Sequence, residues 1–345
     1  MSEGVSVELD LVALDGWMAD HVPGYAGPLS AERFSGGQSN PTFKLTTPAA
    51  SWVLRRKPPG PLLKGAHAVE REARVMSGLG GQGFPVPRIF GLCEDDAVLG
   101  SAFYVMEMVE GRIFWDATFP EVRREDRPAY FEAMNATVAQ LHGIDPVAAG
   151  LADYGRSEGY FQRQIGRWST QYREDADVAG SSPEMDRIID RLLESIPEGD
   201  KTSVIHGDFR CDNMIFHPTE PCVIAVLDWE LSTLGSPLAD FAYHLMMYRM
   251  PPEIVAGLRG ADLQALNIPS EADYAAAYAR RIGRERIENL EFYLAFNLFR
   301  FAAIVHGIRG RVARGTAASA KAGDMAKHFE ALAAIGWEET QKIVG

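Results

Sequence analysis

Cysteine is scarce in this chain of 345 residues, where only Cys93, Cys211 and Cys222 occur. An odd trio without C-x-x-C spacing argues against a disulfide framework and against a structural zinc site. The eight histidines include no H-x-x-x-H pair, so the commonest helical transition-metal motif is missing too. No apolar run approaches the about 18 residues of a membrane span. The opening M-S-E-G-V-S-V-E-L-D is acidic where a secretion signal is basic and then apolar. A cytoplasmic protein with no membrane partner is the expectation. Basic charge is also short: 34 Lys and Arg stand against 47 Asp and Glu, for a net charge of −13. Such a chain has no basic field to draw nucleic acid or anionic lipid. Internal repeats, low-complexity tracts and long linkers are lacking. A 46% hydrophobic content over this length provides for a real core in two lobes or domains.

Against these absences one stretch stands out, V-I-H-G-D-F-R-C-D-N-M-I-F-H-P-T-E-P-C-V-I-A-V-L-D-W-E from Val204 to Glu230. Its two short apolar runs, 214–216 and 222–227, flank the turn-rich His217-Pro218-Thr219-Glu220-Pro221 and read as a β-hairpin. Asp208 and Asn213 precede the first strand, and Asp228 ends the second. A hairpin brings its outer ends together, so the three side chains are expected to converge. One carboxylate and one amide oxygen can reach a hard cation, while the other carboxylate orients a hydroxyl. Phosphoryl transfer requires that set. Asp and Asn are ordinary turn formers, but here residue type, spacing and predicted context agree.

The pattern H-x-D-x-x-x-x-N, a hairpin and a closing Asp resembles the aminoglycoside phosphotransferase family, which shares the protein-kinase fold. That family writes its catalytic loop H-G-D-x-x-x-x-N and its metal aspartate in D-W-E, as Asp228-Trp229-Glu230 stands here. The resemblance implies Asp208 as the group that accepts the acceptor's proton, with Asn213 and Asp228 as Mg²⁺ ligands. Gly207 in place of the Arg of H-R-D argues against control by a phosphorylated activation loop. No A-P-E segment follows Asp228, which disfavours a protein kinase. His206 and Asp240, the latter in P-L-A-D-F-A, are implied to brace the loop. A helix N-terminal carboxylate is the plainer reading of Asp240.

The same resemblance orders the rest of the chain. Residues 9–22 have helical apolar spacing, and 33–45 read as a hairpin around Gly36-Gly37. Ser35, Gly36, Gly37, Gln38, Ser39 and Asn40 resemble the nucleotide-covering loop G-G-x-S-N. In Trp52-Val53-Leu54-Arg55-Arg56 the side chains alternate, so Val53 and Arg55 share one face. V-L-R aligns with the kinase A-I-K, which makes Arg55 the implied ligand of the α- and β-phosphates, although Arg and Lys are not interchangeable. Within the helix expected over 66–79, Glu72 is the implied carboxylate partner of Arg55, with Glu70 the competitor. Gly78-Leu79-Gly80-Gly81-Gln82-Gly83 matches G-x-G-x-x-G, but a helix precedes it and Phe84-Pro85 follows, so it reads as a helix end. The strand 102–109 resembles the segment that joins the lobes and meets adenine, which places Glu107 and Val109 at the hinge.

These readings predict an α+β, two-lobed protein-kinase-like fold, with a β-rich nucleotide lobe over 1–110 and a mainly helical lobe over 111–345. The implied activity is ATP-dependent phosphorylation of a small-molecule hydroxyl with Mg²⁺. The run 55–72 and the segment 299–308 most resemble the kinase-like domains associated with acyl-CoA dehydrogenases. That branch implies a hydroxy acid or hydroxyacyl-CoA as acceptor. Lys57, Lys64 and His67 near the lobe junction offer handles for an anion, and so does Arg300, a cation inside the apolar helical pattern 287–309 that needs a counter-charge, for which one of the chain's own carboxylates is the plainer partner. An aminoglycoside or choline-like alcohol, suited to the acidic net charge, is the alternative acceptor. A catalytically silent nucleotide-binding module is the alternative class, and oligomeric state is left open.

Overall fold

The computed structural model describes residues 9–34, 40–58, 67–156, 158–199, 201–255, 257–317 and 321–344. The chain divides into two compact units, Met1–Gly111 with Ile224–Glu230, and Arg112–Val223 with Leu231–Gly345. The expected nucleotide-loop residues Ser35, Gly36, Gly37, Gln38 and Ser39, and Lys64, lie outside the described residues.

The first unit is built on an antiparallel sheet of β1 (Ser30–Arg33), β2 (Thr42–Thr46), β3 (Ser51–Arg56), β4 (Ile89–Cys93) and β5 (Phe103–Glu107), in the order β1-β2-β3-β5-β4. Alternation along β3 sends Trp52 and Leu54 into an apolar cluster with Phe43, Leu45, Phe103 and Val105. Helix α1 (Leu11–His21) adds Leu14, Trp17 and Met18 to that cluster. It starts where Asp10 accepts from the backbone amides of Val12 and Ala13, the donors a helix start leaves unpaired. Helix α2 (Val69–Gly80) buries Val69, Ala73, Val75, Met76 and Leu79 on its packed side, together with one charged residue, Glu72. The glycine-rich run ends α2 and turns at Gly81–Gly83, with no dinucleotide-type strand before it.

The second unit is mainly helical. Its centre is the 24-residue helix Leu290–Ala313, apolar on most sides, which packs against the helices Tyr160–Glu174, Pro183–Glu194, Pro237–Leu245 and Phe329–Thr340. A helix surrounded by helices reads as nearly all-round hydrophobic. Two short strands, β6 (Ser203–Ile205) and β9 (Thr233–Gly235), pair antiparallel and flank the site sequence. Between them in sequence runs β7 (Met214–Phe216), followed by a turn that the His217 amide closes on the Cys222 carbonyl at 2.9 Å; β8 (Val223–Val226) then leads into the segment Ile224–Glu230 of the first unit. Among the described residues no helix is long and apolar enough to cross a membrane.

The helix Pro237–Leu245 carries Asp240 and Tyr243, and its first turn sets their direction. Pro237 occupies the opening position, where its missing amide costs nothing, and the Ser236 hydroxyl accepts from the Ala239 amide at 3.2 Å. Ser236→Ala is expected to lower the unfolding free energy by about 1 kcal/mol in urea titrations. An unchanged midpoint would mean that packing alone fixes the helix start.

Candidate active site

In the second unit the loop 206–213 is held from below by one carboxylate. Asp240 is 2% exposed and accepts the His206 amide and the Gly207 amide, both at 2.8 Å. His142 stands 3.1 Å from the same carboxylate through Nε2 and 2.6 Å from the Tyr278 hydroxyl through Nδ1. Burial alone would push the Asp240 carboxyl up, but these partners, His142 foremost, hold it below its ordinary value. The His206 ring in turn accepts the Asp208 amide through Nδ1 at 3.1 Å. Gly207 has φ 84°, and a β-carbon there would lie 2.8 Å from the Leu231 carbonyl oxygen. This loop therefore needs glycine where H-R-D carries Arg.

Asp208 is gripped at both oxygens. Its Oδ1 receives the Tyr243 hydroxyl at 2.7 Å and pairs with Arg210 Nε at 3.2 Å. Its Oδ2 and its backbone carbonyl receive the Asn213 amide, at 3.1 and 2.8 Å. Burial and the neighbouring Asp208 charge keep the Tyr243 phenol protonated far above its usual range, so it serves as a donor. A second tie reaches the loop through His244, whose Nδ1 lies 3.0 Å from the Phe209 carbonyl and whose Nε2 lies 2.7 Å from the Tyr274 hydroxyl. Tyr274 and Tyr278 are one turn apart on the helix Glu271–Arg281, so one helix face supports both histidines. Arg300, 7% exposed, gives Nη2 to the Gly207 carbonyl at 2.9 Å and lies 5.4 Å from the centre of the Tyr243 ring. The counter-charge expected for it is replaced by a carbonyl and an aromatic face.

The first unit holds Asp228 together with Arg55 and Glu72. Arg55 pairs through Nε with Glu72 at 3.1 Å, and through Nη2 with Asp228 at 3.0 Å and Glu230 at 3.5 Å. Glu70 pairs with Lys57 instead, at 2.8 Å. Glu72 is 2% exposed and also receives Asn40 Nδ2 at 2.9 Å and the Tyr104 hydroxyl at 3.1 Å. Asn40, expected against a nucleotide, is wholly buried, with its carbonyl end 2.9 Å from His67 Nδ1. Asp228 has φ 64°, a left-handed backbone that residues other than glycine seldom adopt. Its segment is fixed by the Val226 amide on the Pro85 carbonyl at 2.9 Å and by Trp229, buried edge-on against Phe84. Glu107 is exposed at the end of β5, where its carboxylate accepts the Arg88 amide at 3.2 Å, and Val109 follows it half-buried. Among the described residues no three His, Cys, Asp or Glu side chains gather into a metal cage.

A phosphotransferase enzyme family model, that of the APH proteins, matches residues 30–281. The chain belongs to this family. It is 42% identical over 318 residues to mouse acyl-CoA dehydrogenase family member 10, an alignment covering 92% of the chain and 30% of that protein. The chain spans less than half the length of the curated relatives it matches. A crystal structure of a candidate aminoglycoside phosphotransferase from Ralstonia eutropha is 48% identical, with a TM-score of 0.90 over 98% of this chain and 100% of that one. Aminoglycoside phosphotransferase APH(4)-Ia, in ternary complex with ADP and hygromycin B, is 13% identical with a TM-score of 0.62 over 94% of this chain and 97% of that one. That likeness bears on fold alone, and the fold is protein-kinase-like.

Sequence reasoning passed over Tyr243, Arg210, His142 and His244. Arg210 lies inside the loop motif, and Tyr243 is three residues past Asp240 on one helix face, so spacing offered a signal for both. The histidines are distant in sequence and carried none.

Two outcomes follow from the burial of these groups. His244 is fully buried, and desolvation pulls its pKa from 6.5 to about 4. The folded state then binds a proton less readily than the unfolded chain. Its contribution is complete above pH 6.5 and is lost as pH falls toward 4, by about 3 kcal/mol in all. Urea midpoints between pH 4 and 8 should show that loss and His244→Asn should flatten it, whereas an equal slope in both would rule it out. Arg55→Ala strands a buried Glu72 carboxylate and should cost about 3 kcal/mol. Adding Glu72→Gln should recover part of it, and additive losses would show the pair to be uncoupled.

Proposed function

We propose that the protein is an ATP-dependent phosphotransferase that phosphorylates a hydroxyl group of a small molecule. The reading is carried by Asp208, a carboxylate with both oxygens positioned by neighbours on a loop that is itself fixed from beneath. As the acceptor oxygen attacks the γ-phosphorus, its proton passes to Asp208 and the bond between that phosphorus and the bridging oxygen of ADP breaks. Tyr243 and Arg210 orient the carboxylate for that transfer. Nucleotide binding by a protein of the same fold, as in the ADP complex of APH(4)-Ia, supports ATP as donor.

The residues present fit Mg²⁺. Asn213 spends its amide hydrogens on Asp208, which leaves its carbonyl oxygen as a hard donor, and Asp228 supplies carboxylate oxygen. One or two protein oxygens completed by phosphates and water suit this ion, which demands no cage. When bound, Mg²⁺ neutralises charge on the phosphates during transfer. Arg55, steadied by Glu72, is the cation we assign to the α- and β-phosphates. Ser35, Gly36, Gly37, Gln38 and Ser39 are assigned to covering the nucleotide, and Glu107 and Val109 to the adenine side. Asn40 is assigned to bracing Glu72, and Arg300 to holding the loop in place of an acceptor contact. A nucleotide lobe over 1–110 and a catalytic lobe over 111–345 complete the reading.

For the acceptor we infer a hydroxy acid or hydroxyacyl-CoA, supported by the likeness to acyl-CoA dehydrogenase family members over nearly the whole chain. The test is ADP release from Mg-ATP against hydroxy acids, hydroxyacyl-CoA esters, aminoglycosides and choline-like alcohols. Release with kanamycin-type compounds but with no hydroxyacyl compound would overturn the acceptor class. With an acceptor in hand, Asp208→Asn should lose about 10² to 10⁴ in turnover and keep its affinity for Mg-ATP. Asp228→Asn should weaken the metal-dependent part of that affinity. Wild-type turnover in Asp208→Asn would remove the proton-accepting role.

A further inference from the structure

A cavity of about 200 Å³ lies in the second unit beside the Asp208 loop, and two of its lining residues, Arg210 and Tyr243, are the ones that hold Asp208 Oδ1. Much of its wall is soft and apolar, formed by Met246, Met247, Met250, Val255, Cys211 and Trp115. Methionine is unbranched and polarizable, and lines sites that must adapt to apolar ligands of varied shape. Trp115 is 72% exposed, a large aromatic surface with little of its own chain to cover it.

The charged groups of the cavity are ion-paired with one another, and its other polar groups are neutral. Arg210 pairs with Asp208 and, at 2.8 Å, with Asp212. Both ring nitrogens of His244 have partners, and its burial keeps the ring neutral at physiological pH. Burial pushes the Cys211 thiol up to about 12, so it stays uncharged as well. Asp208 and Asp212 share the one Arg210 guanidinium, so the wall offers an anion no cation that is not already paired with a carboxylate. A void of about 150 Å³ with apolar walls accepts a benzene-sized group, so this one suits a short aliphatic arm.

We propose that this cavity seats an uncharged aliphatic arm adjoining the acceptor's reacting hydroxyl, with Met247 and Val255 setting the arm's length and Trp115 covering it. The proposal rests on Asp208 as the group that meets that hydroxyl. It deepens the acceptor reading by assigning which part of the molecule enters and which residues select it. A charged end of the acceptor stays outside the cavity.

The test uses ω-bromoalkan-1-ols, whose bromine quenches tryptophan on contact, titrated into the whole protein without nucleotide. Saturable quenching is expected, tightening about fourfold per methylene from 3-bromopropan-1-ol to 6-bromohexan-1-ol and levelling off once the arm outgrows the cavity. Trp115→Phe should remove the quenched component. Met247→Lys, at a half-buried position, should weaken binding at least tenfold while far-UV circular dichroism stays native, and Val255→Lys provides a second variant should the first misfold. Quenching that never saturates, that is indifferent to both lysine variants, or that kanamycin displaces would overturn the proposal. The readout needs no turnover. A protein that releases no ADP with any acceptor would therefore refute the phosphotransferase reading, while quenching still decides the cavity.

Discussion

The loop 206–213 depends on a buried carboxylate beneath it. Asp240 is buried, so its charge must be met in full by hydrogen bonds, and it finds them in the backbone amides of His206 and Gly207 and in His142. Those amides belong to the residues just before Asp208. A buried anion that gathers two consecutive amides fixes the direction in which the chain leaves them, and the Asp208 carboxylate inherits that direction. Tyr278 behind His142 and Tyr274 behind His244 carry the constraint into the helix Glu271–Arg281. The loop is thereby tied to the helical core by groups that burial keeps from exchanging partners with water.

The first unit solves a similar problem with opposite sign. Arg55 leaves a strand whose other face is packed, and it meets three carboxylates. Glu72 is the most buried of them and is itself held by Asn40 and Tyr104. Burial opposes charge on both Arg55 and Glu72; attraction to the carboxylates still raises the Arg55 pKa, whereas at Glu72 burial outweighs Arg55 and pushes the carboxyl up to about 7. The sequence feature that made Asn40 resemble a nucleotide contact therefore has a structural use, since an amide that donates to Glu72 fixes the carboxylate that steadies the cation.

Much of this was legible in the chain. Strand alternation placed Arg55 on the face away from Trp52 and Leu54, and the H-G-D-x-x-x-x-N spacing singled out Asp208 and Asn213. The protein-kinase-like fold was implied by the family resemblance that this loop, the hairpin and the closing Asp carry. What pattern could not supply was the destination of long polar side chains. Arg300 looked like a cation in search of an anion because a helical pattern shows burial but not the carbonyl of Gly207 beside it. His142 and His244 each reach a partner about a hundred or thirty residues away, Asp240 and Tyr274, and no local period encodes such a pairing. Gly207 was read as the loss of an Arg, whereas its backbone angle and the nearby Leu231 carbonyl make it a requirement.

The left-handed backbone of Asp228 bears on how this protein should be dissected. Asp and Asn enter that region several times more readily than most residues, because a short polar side chain can bond locally. Alanine there sets a β-carbon against the carbonyl without that relief, at a cost of about 1 to 2 kcal/mol. An alanine scan would therefore mix the loss of the carboxylate with a shifted chain at this position. Asparagine retains the backbone and removes only the charge, and glycine relaxes the backbone while removing the side chain. Comparing those two replacements, with alanine left out, divides what the aspartate does from how the chain is bent to present it.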